Sequence, residues 1–198
     1  MRFALLTALT AALLAGCTDD GKTPAATPAS SPAPAPAVSG EQLPEAENPA
    51  GNLASVGKEA DWDAFVLACD DPEQEAVVQQ VTTGDVTGDG VADSLVARTC
   101  DGAAPYFPST VEVFDGSSPA QRPWRIGTPL LKDVAAADKP WVTAVAVRSG
   151  EIVVQAHGTA GNGCPKLRIT YRYALEGTAL KQKARDEVPS GACLPAGT

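Results

Sequence analysis

The chain has 198 residues, room for one domain once its ends are set aside, and its 24 acidic against 15 basic side chains give a net charge of −9. The negative charge is concentrated: residues 62–100 carry eight acidic side chains and one basic, Arg98, whereas residues 101–198 carry nine acidic and eleven basic. A nucleic-acid backbone needs a basic face, so this distribution excludes nucleic acid as the partner.

Met1-Arg2 is a short positive start, and Phe3 to Ala15 is an uncharged run rich in Leu and Ala. That is the build of a signal-peptide core, shorter than the roughly 20 apolar residues a membrane-spanning helix needs. The run closes on Leu14-Ala15-Gly16-Cys17, which resembles the lipobox of bacterial lipoproteins. The resemblance implies that residues 1–16 are a lipoprotein signal peptide. It also implies that Cys17 is acylated, as palmitate-bearing lipoproteins are, and becomes the first residue of the mature chain. The protein would then be held at the outer, extracytoplasmic face of the cell membrane, where several acyl chains anchor stably and one alone does not.

Residues 17–55 read as a tether. Pro24, Pro28, Pro32, Pro34 and Pro36 alternate with Ala, Ser and Thr, which blocks helix and keeps the chain extended. No aromatic residue occurs between Phe3 and Trp62, so the segment has nothing with which to build a core.

Residues 56–198 are expected to form the folded domain. Trp62, Phe65, Val66 and Cys69 fall at i, i+3, i+4 and i+7, an apolar stripe that predicts one short N-terminal helix over 61–69, with Asp61 as its N-cap. From there the pattern is that of strands: 76–83, 94–100, 110–114, 141–147, 152–157, 167–175 and 179–188. Arg122 to Leu131 is interrupted by Pro123 and Pro129, so it predicts an edge strand or irregular chain. Arg148-Ser149-Gly150-Glu151 and Glu176-Gly177-Thr178 predict hairpin turns. The expectation is a mainly β protein: a single antiparallel domain, a meander of about seven or eight strands.

Four cysteines follow Cys17. Cys69, Cys100, Cys164 and Cys193 are an even number in an exported chain and predict two disulfides. Three pairings are open; nearness in sequence favours Cys69–Cys100 and Cys164–Cys193. There is no CxxC pair of the kind that holds zinc.

Chemistry has few candidates. His157 is the single histidine, at the end of a strand, and no Gly-x-Ser-x-Gly elbow, His-Glu-x-x-His helix or phosphate loop accompanies it. The Gly-rich stretch 158–165 lacks the Gly-Lys-Ser/Thr ending of a P-loop. Trp124, Trp141, Tyr106 and Phe107 would suit either a sugar platform or core packing.

The richest stretch is Gly84-Asp85-Val86-Thr87-Gly88-Asp89-Gly90-Val91-Ala92-Asp93. Its alternate positions Asp85, Thr87, Asp89, the carbonyl of Val91 and Asp93 place oxygen ligands as a calcium loop does, and Gly90 permits the sharp turn. The segment resembles the calcium loops of FG-GAP and VCBS repeats. The resemblance implies a Ca²⁺ site, with Thr87 standing where the family has a carboxylate or amide. It occurs once, so the several-bladed propeller of that family is not implied. Asp and Gly also simply form good turns.

The lipobox, the tether, GDVTGDGVADSLVARTC and VEVFDG together look like small cell-envelope lipoproteins of actinobacteria. The function expected on that footing is a membrane-anchored, non-catalytic module that binds a protein or another envelope partner. The alternatives are an envelope hydrolase using the loop carboxylates with a metal, and a calcium-responsive accessory subunit.

Overall fold

The computed structural model describes residues 51–102, 107–159 and 163–196. The expected leader, Cys17, most of the expected tether, Tyr106 and the middle of the Gly-rich loop lie outside them. The protein is mainly β, with seven antiparallel strands among the described residues. They are β1 Ala76–Gly84, β2 Asp93–Cys100, β3 Thr110–Phe114, β4 Trp141–Arg148, β5 Glu151–Gly158, β6 Leu167–Glu176 and β7 Ala179–Pro189. The meander is split into two sheets, β1-β2-β3 and β4-β5-β6-β7.

The alternation of each strand explains the layers. In the four-stranded sheet Ile152, Val154, Ala156, Ile169, Tyr171 and Tyr173 turn inward and meet Leu95, Ala97, Val111 and Val113 of the other sheet. Fully burying side chains of this size contributes roughly 1.5–3 kcal/mol each. At the seam β1 runs close to β4: a Cβ at Gly84 would lie 2.6 Å from Val147 Cβ, so only glycine lets the two strands approach. The opposite face of β4–β7 carries Gln155, Arg168 and Arg172, all exposed.

The three-stranded sheet is covered on both faces, which is why seven of the eight residues of β2 are buried. Its outer cover is the chain before β1. Leu53, fully buried, and Trp62 pack on Val96 and Phe114, with Phe65, Val66, Val78 and Val81 around them. The Trp62 and Phe114 rings lie 5.2 Å apart.

That cover corrects the expected helix over 61–69. The short N-terminal helix is α1, Leu53–Val56, capped by Asn52, whose side chain accepts from Ser55 N. The stripe itself makes only a 3-10 turn, Trp62–Ala64, and Asp61 makes no side-chain cap. The backbone beyond is diverted: Leu67 N donates to the Glu112 carboxylate and Phe65 O accepts from Arg125. Partners on other elements take the groups that a helix would use internally. The folded unit accordingly includes Asn52 and Leu53, ahead of the boundary expected at residue 56.

The Pro-interrupted stretch 122–131 is irregular chain lying along the free edge of β3. Its backbone meets β3 through the isolated bridges Phe114–Arg125 and Val111–Leu130 and the bond from Ile126 N to Val113 O, without forming a further strand. Both disulfides form in the nearest-neighbour pairing, Cys69–Cys100 and Cys164–Cys193. The first ties the N-terminal cover to the end of β2. Loops of this length contribute about 3–4 kcal/mol each in the chain-entropy account.

Candidate functional site

The turn between β1 and β2 is the aspartate loop, and its curl is built by its own carboxylates. Asp85 Oδ1 accepts from Gly88 N at 2.6 Å and Oδ2 from Gly90 N at 3.1 Å. Asp89 Oδ1 accepts from Val91 N at 2.7 Å. Gly88 and Gly90 sit at φ +78° and +84°, a region where a side chain is strained, so both glycines are conformational requirements.

Asp93 differs from its neighbours. It has no exposed surface, and its Oδ2 accepts from Val86 N at 2.8 Å and Thr87 N at 3.0 Å, while Oδ1 accepts from Gly116 N at 2.9 Å. One carboxylate therefore joins the loop to the Asp115-Gly116 turn after β3. The packing there is so close that a Cβ on Gly116 would collide with the Ala92 carbonyl. Asp115 completes the turn by accepting from Ser117 N and Oγ.

The fit to a calcium ion rests on the donors left over. Asp85 and Asp89 are at the rim, the Val91 carbonyl follows two residues after Asp89, and Thr87 Oγ1 is buried with no hydrogen-bond partner. An orphaned hydroxyl in an otherwise satisfied loop is what an oxygen-seeking cation would use. Asp93 has only the second lone pair of Oδ1 to add, since two amides fill Oδ2. Among the described residues no three His, Cys, Asp or Glu side chains form a metal-binding group, so a cation here would rely on Thr87 and the Val91 carbonyl beside the carboxylates.

Among the described residues two buried ionic clusters flank the cores, and no sequence motif marks either. The first centres on Glu112, which has no exposed surface. Its Oε2 takes Arg125 Nε at 2.7 Å, and its Oε1 takes Leu67 N at 2.9 Å and Arg98 Nε at 3.4 Å. Arg125 also lies 5.1 Å over the Phe114 ring, a cation–π contact. Arg98 Nη1 is 3.1 Å from Cys100 Sγ, which places the cluster against the first disulfide. The hint in the sequence is Glu112 itself, an acid on a strand that both sheet faces bury.

The second cluster centres on Asp138, at the end of the short helix α2, Ala135–Asp138. Arg185 of β7 clasps it through Nε and Nη2, both at 2.9 Å, and Tyr171 Oη donates to it at 2.6 Å. Burial works against ionisation of Asp138. The hydrogen bonds from Arg185 and Tyr171 and the Arg185 charge outweigh it and hold the carboxyl below its ordinary value of 3.8. Burial, and then the Asp138 hydrogen bond and charge, push the Tyr171 hydroxyl well above its ordinary range, so it stays a donor.

A depressed folded-state pKa adds stability that is present above 3.8 and is lost as pH falls through the folded value. Wild type is therefore expected to lose stability more steeply than Asp138→Asn, which has no such proton to bind, as pH falls below 3.8. Parallel melts across that range check it, and equal slopes would contradict it.

His157 is half-buried, and its Nδ1 donates to Pro195 O at 2.7 Å, because a carbonyl only accepts. The ring thus holds the C-terminal segment near Cys193. No nucleophile or carboxylate is hydrogen-bonded to it among the described residues. The aromatic residues divide: Trp62 is core, Trp141 and Phe107 are half-buried, and Trp124 is 57% exposed on the irregular stretch beside β3. No family model, curated protein or solved structure matches this chain.

Proposed function

We propose that the protein is a membrane-anchored lipoprotein whose folded domain is a non-catalytic binding module on the outer face of the cell membrane. The observation that carries this is the cysteine arrangement. Cys69, Cys100, Cys164 and Cys193 are consumed in two disulfides, as an oxidising exterior permits, and Cys17 of the lipobox is the one cysteine left for acylation. The Pro- and Ala-rich composition of residues 17–55 suits a spacer between that anchor and the domain. A binding role is favoured over catalysis because the groups that would carry chemistry already hold backbone. Asp85, Asp89 and Asp93 accept loop amides, and His157 donates to Pro195. Fractionation of producing cells tests the anchoring: wild type is expected in the membrane fraction and Cys17→Ser in the soluble export. A wild type that is released as freely as the variant would overturn it.

The proposed module carries calcium in its aspartate loop, held by Asp85, Thr87, Asp89 and the Val91 carbonyl, with Asp93 as anchor and partial ligand. Calcium supplies charge that draws these oxygens into one rigid turn. A ligand at ten times its Kd stabilises by about 1.4 kcal/mol, or roughly 3–5 °C in a domain of this size. Wild type is expected to show that rise at millimolar calcium and Asp89→Ala is expected to lose it. A melting temperature indifferent to calcium in both would leave the loop a turn.

A further inference from the structure

The outward face of β4–β7 is the one sheet surface that no core cluster of the described residues covers. Register places its side chains in rows across the strands. Gln155 stands opposite Thr170 and Thr170 opposite Asp186, while Val153 stands opposite Arg172 and His157 opposite Arg168. Arg168 and Arg172 therefore bracket the Gln155–Thr170 row, four residues apart on one strand, about 13 Å. Both are exposed, and neither is paired with a carboxylate among the described residues. Lys181, opposite Ala174, extends the charge and Lys183 is neutralised by Glu176, while the acids on this face are Asp186 on the Thr170 row and Glu151, opposite Arg148 at the β4–β5 turn. On a chain of net charge −9 this is a locally cationic, flat, hydrogen-bonding surface.

We infer that this face binds an extended anionic polysaccharide, an inference that rests on the envelope-facing reading above. The two guanidinium groups take carboxylate or phosphate substituents, which planar donors recognise in bidentate fashion. Gln155 and Thr170 between them offer donors and acceptors to hydroxyls. Half-buried Trp141, opposite His157 on the Arg168 row, ends that row with an aromatic ring. A lipid surface fits less well, because insertion needs exposed apolar side chains and the face has only Val188 at its β7 edge.

The experiment uses the detergent-solubilised full chain in affinity electrophoresis and calorimetry against polygalacturonate, poly(glycerol phosphate) and neutral dextran. Vesicles of phosphatidylglycerol with phosphatidylcholine form a fourth probe. Binding to at least one polyanion, weakening with salt and falling about tenfold or more in Arg168→Ala/Arg172→Ala, is the expected result, with the melting temperature unchanged. The polyanion that binds identifies the substituent. A Lys58→Ala/Arg122→Ala control, which removes the same charge elsewhere, is expected to bind like wild type. The inference is overturned by no polyanion binding, by equal binding of dextran, by equal loss in the control, or by binding to the vesicles alone. Membrane retention is measured separately, so failure here leaves the anchored reading standing, and failure of anchoring leaves the polymer assay valid.

Discussion

Glu112→Ala is expected to destabilise the domain by about 3–5 kcal/mol, a third or more of the stability of a typical domain. The variant removes the anion from a site with no exposed surface and leaves two guanidinium groups and the Leu67 N–H without their acceptor. The Arg125 side chain is 27% exposed and can turn toward water, but that would surrender its Phe114 and Phe65 contacts. The Arg98 side chain, at 11%, is held between Glu112 of β3 and the first disulfide. The loss is large because charges are stranded; a well-packed apolar set in place of the whole cluster would be far better tolerated. Denaturant unfolding of Glu112→Ala measures it, and a loss below about 1 kcal/mol would show the cluster to be hydrated and unimportant. Arg125→Ala should cost less, since Glu112 keeps two of its donors.

Asp93→Ala is expected to cost about 3 kcal/mol or more in calcium-free buffer, while Asp89→Ala costs under about 1 kcal/mol. The two residues are the same type in one loop, so the contrast isolates burial. Asp93 satisfies three amides, one of them Gly116 N, 23 residues away, and its removal orphans buried donors on two turns at once. Asp89 is exposed and caps only Val91 N, which water can serve in its place. Equal losses at the two positions would contradict the division into an inner anchor and outer rim.

These contrasts show where reading the chain stops. Thr110–Phe114 was legible residue for residue because Val111 and Val113 alternate with Thr110 and Glu112, a period of two that a strand alone matches. The nearest-neighbour disulfides were legible for a similar local reason: each joins a covering segment to a nearby strand end. The stripe Trp62-Phe65-Val66-Cys69 did not separate a helix from an irregular segment pressed on a core. Both put those side chains on one side, and the decision rested on Glu112 and Arg125, distant in sequence. The division into two sheets was hidden as well. It depends on the chain between Asp115 and Pro140 meeting β3 at isolated bridges instead of forming a further strand, a choice its prolines permit but do not dictate. In the loop, turn chemistry marked all three aspartates alike. Burial, with the convergence of Val86 N, Thr87 N and the distant Gly116 N, gives Asp93 its separate role.

The anchored reading is tested most directly at the N-terminus of the mature chain. Mass spectrometry of the protein extracted from membranes is expected to find residues 1–16 absent and Cys17 as the first residue, carrying a diacylglyceryl thioether. A mature chain that begins elsewhere, or an unmodified Cys17 in the membrane fraction, would contradict it.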